Sequence, residues 1–181
     1  METVTVSFLT TGSDYADFKA AAMKAAMRRG EAAALRASGA AAVLLAFALM
    51  LFWGGSVPRN VLYILLALIG FIVCGSPDVV FPFVVRRRAL QQYESRKNRI
   101  PAQTVEFRGD SVSFLSERYS ARIPYEMLHK AYEDDRVFIL YLGIDEMRFV
   151  PKRSLDDAGC RTVRNLLVSQ LKDKFQQEGA R

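Results

Sequence analysis

A long apolar stretch at residues 37–85 limits the folds open to this chain more than any other feature of its sequence. No charged residue lies between Arg36 and Arg59, and none lies between Arg59 and Asp78. A helix needs about 20 mostly apolar residues to cross a hydrocarbon core about 30 Å thick. The stretch is long enough for two such helices, joined by a turn at residues 56–60. It therefore predicts a transmembrane helical hairpin, because two soluble core helices would need a larger polar shell than the rest of the chain supplies.

Basic residues flank the predicted hairpin on both sides, whereas the turn carries only Arg59. Short loops rich in lysine and arginine remain in the cytoplasm. We therefore expect a multi-pass protein of the cell (inner) membrane, with both termini cytoplasmic and no cleaved signal peptide. The flanking basic residues are Lys19, Lys24, Arg28, Arg29, Arg36, Arg86, Arg87, Arg88, Arg96, Lys97 and Arg99.

The net charge of +6 invites a nucleic-acid function, but its distribution favours a membrane surface. Much of the excess lies beside the apolar runs, where anionic lipid headgroups attract each basic residue by about 1 kcal/mol. The sequence contains no RNP, zinc-finger or helix-turn-helix pattern. We therefore expect membrane lipids, and not nucleic acid, among the partners.

The N-terminal residues predict a strand followed by a helix. Residues 3–9 alternate apolar and polar side chains, which is typical of a half-buried strand. Because a lone strand is unstable in water, we expect it to pair with an edge of the sheet predicted downstream, the alternatives being another subunit or no partner. Ser13 is placed to cap a helix over residues 15–36, which is either an interfacial helix on the inner leaflet or an ordinary helix leading into the first span. Within that span, Ala42 and Ala46 are small enough to let the second helix approach closely.

After Pro101 the pattern changes to short strands that end in tight turns. Six alternating segments in succession predict an antiparallel meander. Ser154, with Asp157 three residues later, predicts the start of a final helix, whose single apolar stripe is fit to close a curved sheet. The predicted strands are residues 104–107, 111–115, 119–123, 128–133, 136–142 and 147–150, and the stripe is Val163, Leu166, Leu167, Leu171 and Phe175.

Five segments of the chain form a pattern that is found in a known family: PFVVRRRALQQY, FRGDSVSF, RIPYEMLHKAYEDDRVFILYL, MRFVPKRSL and the N-terminal FLTTGSDYADF. The first four together resemble the YcxB-like family of bacterial membrane proteins, and the fifth is similar to that family's opening. The chain departs from the family pattern at Tyr125, where tryptophan is frequent, and at Leu155, where an aromatic residue is usual. The resemblance implies two membrane spans followed by a small cytoplasmic domain similar to a pleckstrin-homology (PH) fold, and it implies no established chemistry.

The predicted fold class is an α+β membrane protein. It has a two-helix transmembrane hairpin and a small PH-like antiparallel sheet closed by a C-terminal helix. The predicted parts are an N-terminal strand and amphipathic helix (1–36), the transmembrane helical hairpin (37–85), a basic linker helix (86–101) and a YcxB-like C-terminal PH-like domain (102–181).

The sequence offers little support for catalysis or for a bound metal. His129 is the only histidine, and Cys74 and Cys160 fall in a predicted span and in the C-terminal domain, so the spacing of these residues predicts no metal site. No G-x-S-x-G, G-x-G-x-x-G or P-loop motif occurs. We therefore expect a protein that is not an enzyme and that needs no cofactor.

Two groups of residues are candidates for binding. An acidic residue inside a membrane is a functional candidate, and Asp78 lies near the end of the second apolar run. We expect it to pair with a nearby arginine, or to lie in a new helical segment that begins at Ser76 and Pro77, with ion or proton handling as the alternative. Basic residues next to the inner leaflet are the second group, as contacts for anionic lipid, and they are Arg86, Arg87, Arg88, Lys152 and Arg153.

These features lead to two functional hypotheses of different classes. The first is a membrane-anchored cytoplasmic PH-like module for interaction or regulation, with an unknown protein partner or a second copy of the chain. The alternative is a membrane transport or accessory subunit that uses Asp78. Because two spans alone cannot enclose a pathway, the alternative requires an oligomer.

Overall fold

The computed structural model describes residues 3–27, 29–95, 97, 100–117, 119–144 and 146–178. Expectations that rest on Arg28, Arg96 and Arg99 lie outside these residues. The chain divides into two compact units. The sheet unit comprises Met1–Ala22 and Arg88–Arg181, and the hairpin unit comprises Met23–Arg87.

The described residues form a succession of strands, helices and short helical turns. In chain order these are β1 (Val4–Phe8), α1 (Gly12–Ala26), α2 (Arg29–Trp53), α3 (Val57–Gly75), a π-helical segment (Ser76–Val80), α4 (Phe81–Glu94), β2 (Gln103–Phe107), β3 (Ser111–Ser116), β4 (Tyr119–Pro124), a 3₁₀ turn (Tyr125–Met127), β5 (Lys130–Glu133), β6 (Val137–Tyr141), β7 (Met147–Pro151), a 3₁₀ turn (Lys152–Ser154), α5 (Asp157–Leu171), a 3₁₀ turn (Lys172–Lys174) and β8 (Phe175–Gln177).

The hairpin unit is built from two long apolar helical stretches, as the sequence predicts. By length and composition, Gly30–Trp53 and Val57–Glu94 are both long and apolar enough to cross a membrane. The predicted turn at residues 56–60 is wrong, because α3 already begins at Val57 and only residues 54–56 connect the helices. Pro58 lies in the first turn of α3, where its missing N–H costs no helical hydrogen bond.

The two helices of the hairpin touch backbone to backbone at a pair of glycines. A Cβ atom added to Gly39 would lie 2.6 Å from the carbonyl oxygen of Gly70 and 2.5 Å from the amide nitrogen of Cys74. Small residues allow this close approach between helices. The sequence predicts that role for Ala42 and Ala46 instead. Ala46 is buried, but the contact that excludes any side chain lies at Gly39.

Replacing Gly39 by alanine is expected to destabilise the hairpin by about 1–3 kcal/mol, the usual cost of overpacking. The backbone atoms that the new methyl group would meet cannot turn aside as a side chain can. The matched control is Gly30→Ala, since nothing lies within 4 Å of a Cβ atom at that helical position. The midpoint of SDS-induced unfolding of the full chain in detergent should fall for Gly39→Ala and stay level or rise for Gly30→Ala. Equal midpoints for the two variants would contradict the contact.

The sheet unit contains two four-stranded sheets, with strand orders β1-β2-β3-β4 and β7-β6-β5-β8. Strands β2 to β7 match the six predicted strands to within two residues at each end. The single antiparallel meander is wrong, because the chain changes sheets between β4 and β5 and because β8 runs parallel to β5. Pro124 ends β4, and the following 3₁₀ turn buries the ring of Tyr125. The turn therefore redirects the chain from one sheet into the other.

Strand β1 pairs antiparallel with β2, from Val4 opposite Phe107 to Phe8 opposite Gln103. This ladder confirms the predicted pairing of the N-terminal strand with an edge of the downstream sheet. Val6 and Phe8 enter the same apolar core as Phe138 of β6 and the residues of α5. The core thus joins residues from both sides of the hairpin unit in sequence.

Helix α5 closes this core, but its two ends differ from the prediction. Its cap is Asp156, whose carboxylate accepts a hydrogen bond from the amide of Gly159, whereas Ser154 bonds the carbonyl of Pro151. The helix ends at Leu171 because Lys172 has a φ of 49°, which helical residues do not adopt. Phe175 was predicted on the helical stripe and instead begins β8.

Helix α1 also begins and ends differently from the prediction. Thr11, and not Ser13, caps it: the Asp14 amide donates to Thr11 Oγ1, and the Thr11 amide donates to Asp14 Oδ2, which is a capping box. The helix ends at Ala26, so residues 15–36 are not one helix. Phe18 stacks on Phe149 of β7 with ring centres 4.7 Å apart. Phe18 is therefore buried against the sheet and is not presented to lipid.

Candidate functional site

Asp78, an acidic residue of the hairpin unit, forms an ion pair with Arg36. Arg36 Nη2 donates to both carboxylate oxygens, at 2.7 and 2.8 Å, and Arg36 Nε donates to Oδ2 at 3.1 Å. Asp78 lies in the π-helical segment, which begins at Ser76. Both sequence expectations for this residue, an arginine partner and a new helical segment, are therefore confirmed. A bidentate pair of this kind is the strongest geometry between the two side chains.

The three consecutive arginines follow in α4. Arg87 and Arg88 are exposed and Arg86 is half-buried. Consecutive helical positions point about 100° apart, so the three side chains cover a broad sector of the helix surface. Their role as lipid contacts stays a prediction.

Arg153 binds a buried carboxylate near the start of the chain. Its Nε donates to Asp14 Oδ1 at 2.7 Å, and its Nη2 donates to Asp14 Oδ2 at 2.6 Å and to the carbonyl of Leu9 at 3.0 Å. Burial raises the pKa of Asp14, but the hydrogen bonds from Arg153 and Thr11 outweigh it and leave the pKa below its ordinary value. Arg153 thus ties the N-terminal segment to the β7 end of the sheet unit.

Lys152 takes part in a separate buried cluster around Glu133 of β5. Glu133 is only 1% exposed, and it accepts hydrogen bonds from Lys152 Nζ at 2.6 Å and from Arg164 Nη2 at 2.5 Å. Lys152 Nζ also lies 4.9 Å from the centre of the Phe138 ring. The two neighbouring cations predicted to contact lipid therefore bind two different carboxylates inside the sheet unit, and their contact with lipid stays a prediction.

A cleft of about 270 Å³ opens between the two sheets at one end of the sheet unit. Its wall is partly apolar and contains one cation, Arg148 of β7. The guanidinium carbon of Arg148 lies 5.0 Å from the centre of the Tyr119 ring. The residues that line the cleft are Pro101, Gln103, Thr104, Phe114, Leu115, Ser116, Tyr119 and Arg148.

The N–H donors of Arg148 make few hydrogen bonds to the described residues of the protein. Its Nε is buried and has no hydrogen-bond partner among the described residues. Its Nη2 donates to Glu146 Oε1 at 3.3 Å, and the Glu146 side chain is 60% exposed. A buried polar group without a partner is costly, so this guanidinium is suited to a ligand that accepts hydrogen bonds.

Sequence reasoning missed both Glu133 and Arg148, although one signal pointed to Arg148. Residues two apart on a strand share a face, and Val150 is fully buried. Arg148 therefore occupies a position of β7 that the alternation assigns to the core. A charged residue at such a position indicates either a buried partner or a ligand.

Comparison with known proteins gives one match. No curated protein and no solved structure shows a significant match to the chain. A family model described as YcxB-like protein matches residues 107–167. The matched segment begins at the last residue of β2 and ends inside α5, so it contains strands β3 to β7 in full. Over this segment, which is about a third of the chain, the protein is similar to the YcxB-like family, as the motifs of the sequence predict.

Proposed function

We propose that this protein is a membrane-anchored module for interaction or regulation. In this proposal the hairpin lies in the cell (inner) membrane, and the sheet unit is a PH-like domain on the cytoplasmic side that binds a partner and catalyses no reaction. The partner is a protein or a second copy of the chain.

The β1–β2 ladder is the observation that carries the proposal. The chain leaves the sheet unit after Ala22 and returns to it at Arg88, and the intervening residues form the hairpin unit. Five residues of β1 then pair with five residues of β2, which lie on opposite sides of the hairpin in sequence. Such a ladder requires both ends of the hairpin on one side of a membrane, and two spans meet this requirement whereas one or three do not.

The exposure of the two long helices supports the membrane assignment. Only 11% and 17% of their most apolar windows are buried inside the protein, whereas a core helix of a soluble protein is mostly buried. Lysine and arginine are frequent before and after the hairpin, which favours the cytoplasmic side for the sheet unit. Large exposed apolar surfaces in water would drive aggregation, and lipid covers them.

The PH-like assignment is supported by the arrangement of the core. Two sheets of four strands enclose it, and Val163, Leu167 and Leu171 of the C-terminal helix fill it. We carry the transport alternative no further, because Arg36 already occupies both oxygens of Asp78. A carboxylate whose charge is neutralised by an arginine attracts a cation less strongly than a free carboxylate does.

The topology can be tested with two cysteine variants in a chain in which Cys74 and Cys160 are replaced by serine. Ser56→Cys places a thiol in the hairpin turn, and Ser120→Cys places one on the exposed face of β4. We expect a membrane-impermeant maleimide to label Ser56→Cys in intact cells and to label Ser120→Cys only after permeabilisation. Labelling of Ser120→Cys in intact cells, or release of the chain from membranes by alkaline carbonate, would refute the proposal.

A further inference from the structure

We propose that the cleft between the two sheets binds an amphiphile with one anionic group, with Arg148 holding the anion and the aromatic wall holding the apolar part. The inference rests on the binding role proposed above, for which it names a ligand class, but it does not depend on the membrane anchor.

The position of Arg148 on its strand is the first argument. Arg148 lies opposite Leu140 in the β6–β7 ladder, and Leu140 belongs to the apolar core. Cross-strand neighbours share a face, so Arg148 is directed into the space between the sheets. The buried Nε has no partner among the described residues, and Nη2 donates to the carboxylate of Glu146, an exposed side chain, at 3.3 Å. An exposed pair of this kind contributes little, so a ligand can compete with it.

The chemistry of the wall is the second argument. Phe114, Leu115 and the Tyr119 ring supply apolar surface beside the guanidinium, and Gln103 supplies an amide. The lining, all of which is described, includes no acidic residue and no second cation. A carboxylate or a phosphate monoanion attached to an apolar chain complements this wall, whereas a cation or a polyanion does not.

The volume is the third argument. At about 30 Å³ for each non-hydrogen atom, the share that one water occupies in the liquid, a cleft of 270 Å³ holds roughly nine such atoms. Octanoate has about this size and bears a single carboxylate. An anionic lipid also joins one phosphate to apolar chains, and the cleft is large enough only for the part of the lipid next to its phosphate.

Titration calorimetry with the full chain in zwitterionic nanodiscs tests the inference. We expect saturable binding of octanoate after subtraction of empty nanodiscs, at least about tenfold weaker binding by Arg148→Gln, and no binding of octan-1-ol. The matched control is Arg122→Gln, since Arg122 is an exposed arginine of β4 that binds Asp110 and does not line the cleft. Weaker octanoate binding in nanodiscs containing phosphatidylglycerol would identify the lipid headgroup as the natural ligand of the cleft. Unchanged binding would identify a free acid as that ligand.

A second variant covers the case in which Arg148→Gln does not fold. Ser116→Trp fills the cleft from its rim and leaves Arg148 in place, and it should also abolish octanoate binding. Unchanged affinity in either folded variant, equal binding of octan-1-ol, or no saturable binding by the wild type would overturn the inference. The cysteine-labelling result is independent of all these outcomes, so the membrane anchor and the cleft can fail separately.

Discussion

Replacing Glu133 by alanine is expected to lower the free energy of unfolding of the sheet unit by about 3 kcal/mol. Removing one partner of a buried ion pair usually costs 3–5 kcal/mol, because the remaining charge is left without compensation. Here two cations, Lys152 and Arg164, lose their carboxylate. The lower end of the range applies because the Arg164 side chain is 36% exposed and can turn toward water.

The effect can be measured by heating the full chain in detergent and using proteolysis to monitor how much of the sheet unit has unfolded at each temperature. The matched control is Glu106→Ala in β2, since Glu106 binds Arg108 in a pair that is open to solvent. Such a surface pair should contribute no more than about 1 kcal/mol. Equal losses of stability in the two variants would show that the Glu133 cluster is no more important than a surface pair.

The same cluster makes stability depend on pH. Burial raises the pKa of Glu133, but hydrogen bonds from Arg164 and Lys152 outweigh it and hold the pKa below the ordinary value of 4.5. Because the pKa is lower in the folded state, the stabilisation is complete above about pH 4.5 and is lost as the pH falls toward the lowered value. We expect the thermal midpoint to fall more steeply below pH 4.5 in the wild type than in Glu133→Gln.

The sequence predicted those parts of the fold that depend on local pattern. A hairpin of apolar helices follows from the two charge-free runs, between Arg36 and Arg59 and between Arg59 and Asp78, and the strands follow from alternation of side chains. Alternation assigns each residue to a face but does not identify the neighbouring strand. The division into two sheets depends instead on the turn at Tyr125, whose effect appears only when its ring is packed in the core.

The candidate sites were harder to predict because they depend on contacts between distant residues. Lys152 and Arg153 are adjacent in sequence, yet their partners Glu133 and Asp14 lie in different elements. A basic pair of this kind has the same sequence signature whether it faces lipid, water or a buried carboxylate. The partner of Asp78 was easier to predict, because a carboxylate beside an apolar run needs a cation. Arg36 lies at the end of the charge-free run on the facing helix and supplies that cation.

The second large effect on stability is expected in β1, and the substitution Val6→Asp tests it most directly. Val6 is 3% exposed and lies opposite Val105 in the ladder that joins the N-terminal segment to the sheet. Losing its burial costs about 1.5–3 kcal/mol, and burying a polar group without a partner costs about 1–3 kcal/mol more. We therefore expect β1 to detach and the midpoint for proteolysis of residues 103–178 to fall by an amount equivalent to about 2.5–6 kcal/mol.

Ser7→Asp is the matched control for this variant. Ser7 is the next residue of β1, faces solvent and exchanges one exposed hydrogen bond with Thr104 at 2.8 Å. The control introduces the same carboxylate into the same strand and should shift the midpoint by less than about 1 kcal/mol. If Val6→Asp and Ser7→Asp proved equally resistant to protease, β1 would not stabilise the sheet unit. The ladder could then no longer support a hairpin whose two ends lie on one side of the membrane.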